Sequence, residues 1–78
     1  MKDVIRLSRF TTLKRIKDKT FLIECILNTM RVNEDSNGTI NWIDPPGGPM
    51  IEVGRKFGAN KVKSIDHLKG VGFTITFE

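Results

Sequence analysis

Val71-Gly72-Phe73-Thr74-Ile75-Thr76-Phe77 decides the fold class. Val71, Phe73, Ile75 and Phe77 fall on one side of an extended chain and Gly72, Thr74 and Thr76 on the other. That is the two-residue period of a strand with one face in a core. Just upstream, Lys69-Gly70 reads as a turn. Val62-Lys63-Ser64-Ile65-Asp66-His67-Leu68 alternates imperfectly, which admits a bulge, an edge or a short helical turn. Further back, Gly58-Ala59-Asn60 is a loop and Met50-Ile51-Glu52-Val53-Gly54 a weakly alternating strand. Thr39-Ile40-Asn41-Trp42-Ile43 should return antiparallel to the run before it, because Asn37-Gly38 is the strongest hairpin signal in the chain.

From Thr20 to Val32, apolar residues occupy both alternating sets, with Phe21, Ile23, Cys25 and Leu27 in one and Leu22, Ile26 and Met30 in the other. This predicts a central strand covered on both faces. At the start of the chain, Val4, Leu7, Phe10, Leu13 and Ile16 recur every three residues, as on a helix, whereas Val4 to Phe10 alone also fits a strand. The expectation is a strand near 3–10 followed by a turn or one short helix near 11–18. The whole reads as a single small β domain over residues 1–78, a mainly β fold with an antiparallel meander or barrel of five to six strands. It has no internal repeat, linker or low-complexity tract.

With 78 residues, a single core rarely supplies more than about 3–5 kcal/mol unless disulfides, metal or self-association help. Cys25 is alone, so no intrachain disulfide forms, and Cys25 and His67 have no metal-ligand spacing. A homo-oligomer is therefore expected. The lone cysteine in an apolar run suits a reducing compartment, and no run approaches the roughly 18 apolar residues of a membrane span. Together they predict a soluble, cytoplasmic protein without membrane contact. The formal net charge is +4, and residues 1–19 hold seven basic side chains against Asp3 and Asp18. Such a surplus steers anions toward the chain, or merely solvates one face.

Catalysis is not spelled out. There is no G-x-S-x-G elbow, no phosphate-loop pattern and no G-x-G-x-x-G. His67 is the only candidate base, and Asp44, Glu52 and Asp66 are the carboxylates that could converge. No enzyme activity, metal or cofactor is expected. Binding chemistry concentrates around Trp42-Ile43-Asp44-Pro45-Pro46-Gly47-Gly48-Pro49. Gly47 and Gly48 can aim bare amides at an anion, Trp42 can stack a base, Asp44 can accept from a ribose hydroxyl, and Arg55 and Lys56 follow one strand later. The expected site is thus Trp42, Asp44, Gly47, Gly48, Arg55 and Lys56, holding an anionic small molecule such as a nucleotide. The bland version has Trp42 filling a barrel mouth while the prolines brace a turn.

Two other readings stand beside it. The first is a protein-binding module or inhibitor, with Met50, Ile51, Trp42 and the proline loop as an adaptable apolar patch against a larger partner. In size and lack of motifs the chain is similar to small viral accessory proteins, a likeness that assigns no residue a role. The second is loose binding of nucleic acid through the basic first quarter, ranked lower because aromatics are scarce and Tyr is absent.

Overall fold

The computed structural model describes residues 2–25 and 29–78. Every regular element in it is a strand: β1 (Val4–Arg6), β2 (Thr11–Lys17), β3 (Thr20–Cys25), β4 (Arg31–Glu34), β5 (Ile40–Asp44), β6 (Ile51–Glu52), β7 (Lys56–Phe57), β8 (Asn60–Leu68) and β9 (Gly72–Phe77). They form three successive antiparallel meanders, β1-β2-β3, β4-β5-β6 and β7-β8-β9. Pairing of β3 with β9 joins the first and third into a six-stranded sheet ordered β1-β2-β3-β9-β8-β7, and the middle meander is a separate three-stranded sheet. The mainly β, barrel-like fold read from the sequence is therefore present. Among the described residues no helix is long and apolar enough to cross a membrane.

The core lies between the two sheets. Leu13, Phe21, Ile23, Val62, Ile65, Ile75 and Phe77 come from the larger sheet and meet Ile40, Ile43 and Ile51 from the smaller. At its centre, Phe21 and Phe77 pack edge to face, their centroids 5.4 Å apart, a geometry that sets the positive ring edge on a negative face. Ile40 and Ile43 both reach this core although they are three residues apart, because β5 carries a bulge. Asn33 pairs with Trp42 but Glu34 with Ile40, which leaves Asn41 as the extra residue.

Turns follow their chemistry. Between β6 and β7 the Arg55 amide donates to the Glu52 carbonyl at 2.9 Å, with Gly54 at φ +93° in the position where a type II turn needs a left-handed residue. The bend lets one ribbon serve both sheets, since Val53 donates to Asn41 of β5 and Gly54 to Val62 of β8. In the β4–β5 hairpin only Gly38 is left-handed, at φ +83°, and Asp35 Oδ1 accepts from the Asn37 and Thr39 amides. The Asn37-Gly38 hairpin thus forms, pinned by an aspartate.

Three expectations need correction. Residues 11–17 are strand β2, not a short helix. Their three-residue period comes from the tight turn at Leu7–Thr11 and a bulge between Arg15 and Lys17, each of which moves an apolar residue off the two-residue phase. The expected strand over 3–10 is paired only at Val4–Arg6. The run from Thr20 to Val32 is not one strand: β3 pairs with β2 and β9, while β4 pairs with β5 in the other sheet. The expected core positions Ile26 and Leu27 lie outside the described residues.

Candidate functional site

Beyond the Asn41 bulge, Ile43 turns inward and its neighbours Trp42 and Asp44 turn out. The register brings Arg31 opposite Asp44, and Asn33 and Glu52 opposite Trp42, so these five share the outer face of the three-stranded sheet. Arg31 Nη2 lies 3.1 Å from Asp44 Oδ2, and its Cζ stands 6.0 Å from the centre of the Trp42 ring. A guanidinium held by a carboxylate over an indole gains from both charge and ring quadrupole. Trp42 itself is half-buried, and Met50 next to β6 is exposed.

The proline-glycine loop continues from this face. Gly48 N–H donates to the Pro45 carbonyl at 3.2 Å, with Pro46 and Gly47 as the corner and Gly47 at φ +71°, the residue order a type II turn favours. Pro45 is buried, Gly47 lies against the Phe10 ring and Gly48 against Thr11. Of the two glycine amides expected to be bare, that of Gly48 is therefore already paired. An open cleft of about 360 Å³ runs along the loop, lined by Arg31, Asp44, Pro46, Gly47, Gly48 and Thr29.

The expected site is thus divided. Asp44, Gly47 and Gly48 share the cleft, and Trp42 stands beside it on the same sheet face. Arg55 does not join them: its Nη1 donates to the Met50 carbonyl at 2.8 Å and its Cζ stacks 5.0 Å from the Phe57 ring. Lys56 faces Lys61 on β8. The cation at the cleft is Arg31, which sequence reasoning passed over. Counting outward from Asn37-Gly38 sets Arg31 opposite Asp44, so the hairpin signal already contained the pairing.

The remaining candidates do not assemble. Asp44 and Glu52 sit on one sheet and Asp66 on the other, so the three carboxylates do not converge. His67 is exposed on β8 with its ring stacked 5.0 Å from Phe73. It opens onto a second cleft of about 290 Å³ between β5 and β8, with Glu34, Asn41, Lys63, Ser64 and Asp66. Among the described residues no three His, Cys, Asp or Glu are grouped to hold a metal. Cys25 is half-buried across from Thr11. Burial pushes its thiol above the ordinary range and the Thr11 hydroxyl partly opposes this. Thr11 Oγ1 makes no hydrogen bond of normal geometry, so its contact with the thiol is a weak one. No family model, curated protein or solved structure matches this chain.

Proposed function

We propose that this chain is a non-enzymatic binding module whose outer three-stranded face docks a protein partner, with Trp42 as the anchor and Arg31 as its charged companion. The observation that carries the reading is the Arg31–Trp42–Asp44 cluster on an open face beside exposed Met50. Buried or half-buried Trp and Arg dominate binding energy at interfaces, and a shallow face suits a partner segment better than an enclosed small molecule. The partner would lay an apolar side chain on the indole and offer Arg31 a carboxylate in exchange for Asp44. Trp42→Ala should abolish capture of proteins that the native chain retains from its host, while leaving the melting curve within about 1 kcal/mol. Identical capture by both chains would overturn the reading.

A second reading is favoured by the cleft itself, where Arg31 and the Gly47 corner share one opening. An anionic, nucleotide-like ligand there would quench Trp42, the only tryptophan, and weaken with salt. Such quenching, lost on Arg31→Ala and kept on Arg55→Ala, would move the assignment from a protein to a small molecule. A cytoplasmic setting and self-association belong to the same proposal. The unpaired Cys25 supports the first, and the small core, ten buried apolar side chains among the described residues, supports the second. Sedimentation as a stable monomer at micromolar concentration would remove self-association.

A further inference from the structure

We infer that a different surface, the outer face of the six-stranded sheet, binds the phosphate backbone of a nucleic-acid duplex without regard to sequence. Paired residues point to the same side of a sheet, so the register writes out this face. One row is Lys17, Thr20, Thr76 and Ser64, on β2, β3, β9 and β8. The next is Lys14, Leu22, Thr74 and Asp66. At the corner, Lys61 alternates with buried Val62 and so points outward, with Lys56 directly opposite it on β7.

Lys56 opposite Lys61 is the informative pair. Like charges facing each other across two strands oppose folding, and nothing in the packing of these exposed side chains requires two lysines there. Glu78 lies 3.8 Å from Lys61 and Glu24 3.7 Å from Lys14, beyond hydrogen-bonding distance, so both ammonium groups keep donors for another acceptor. Lysines around hydroxyls are phosphate-binding chemistry. Thr20 and Thr76 bond each other at 3.2 Å, which leaves one hydroxyl hydrogen of that pair for a phosphate, and Asp66 is the carboxylate in the neighbouring row. β2 and β8 are three strand spacings apart, about 14 Å, and Lys61 lies a further three residues along β8 from Ser64 of the Lys17 row, roughly 10 Å. Lys17 and Lys61 thus stand diagonally apart, and their long side chains can meet phosphates on the two rims of a major groove about 12 Å wide. Phe21, Phe73 and Phe77 all belong to the inward set. Among the described residues this face holds no ring to stack a base, and so has no reason to prefer a single strand.

Fluorescence anisotropy of a labelled 20-base-pair duplex tests this. Affinity should fall with salt with a log–log slope near about −3, roughly 0.9 per phosphate met by Lys17, Lys56 and Lys61. Lys61→Ala should flatten the slope by about 1, and Lys56→Ala likewise, while Lys56→Ala does not melt below the native chain because it removes a like-charge opposition and leaves the Lys61–Glu78 ion pair in place. Trp42→Ala should leave duplex binding unchanged, which separates this face from the protein-docking one. A single strand of equal length should bind more weakly. No anisotropy change at 50 mM salt would overturn the inference, as would undiminished binding by the triple Lys17→Ala, Lys56→Ala, Lys61→Ala variant. Equal affinity for poly-glutamate would overturn it in favour of an acidic protein.

Discussion

A Cβ on Gly48 would sit 2.5 Å from Thr11 Oγ1 and 3.1 Å from Thr11 Cβ, and Thr11 is fully buried with no room to retreat. Gly48→Ala should therefore lower the urea midpoint by the equivalent of about 1–3 kcal/mol, the usual cost of overpacking. Gly47 differs, since the Phe10 ring it touches is exposed and can swing away. Gly47→Ala is opposed mainly by its left-handed backbone, by about 1–2 kcal/mol. Cys25 gives a pH prediction. Burial disfavours its thiolate, so the folded chain holds the thiol proton more tightly than the unfolded chain does. Stability from this group is complete below the ordinary thiol range and is lost as pH rises through the raised folded value. Urea midpoints of the native chain should drop more steeply in alkali than those of Cys25→Ala. Parallel curves would show that the thiol does not contribute.

Strand β5 shows how a single inserted residue sets a face. Deleting Asn41 moves either Ile40 or Ile43 from the core to solvent, because a one-residue slip inverts every side chain beyond it. The deletion should abolish the cooperative melt. Asn41→Ala keeps the residue count and loses only the 3.0 Å bond from Asn41 Nδ2 to Asn33 Oδ1, which is exposed, so it should cost no more than about 1 kcal/mol. Bulges also mark the limit of what periodicity reveals. β9 was legible because its alternation runs unbroken from Phe73 to Phe77, whereas β2 was not, since the bulge before Lys17 puts Ile16 out of phase. The same holds for the site. Trp42, Asp44 and the glycine corner are close in sequence and read together, but Arg31 reaches them only through strand pairing, and the turn at Gly54 carries Arg55 off toward Phe57.

For the whole molecule, a single core in a chain of 78 residues supplies about 3–5 kcal/mol without staples. Phe21 is fully buried and joins both halves of the larger sheet by packing on Phe77. Phe21→Ala should cost about 3–5 kcal/mol, enough for circular dichroism to show a substantial unfolded fraction at 37 °C. A cooperative melt within a few degrees of the native one would mean that the core does not depend on this contact. The junction of β3 with β9 also bears on how the protein is made. Residues 72–77 form a middle strand of the larger sheet, so a ribosome that has released only the first two meanders has delivered a sheet lacking its keystone, with one long edge of β3 bare. Folding of the larger sheet must then wait for residues 72–77 to emerge, and nascent chains stalled before Gly72 should be digested by protease as readily as unstructured peptide.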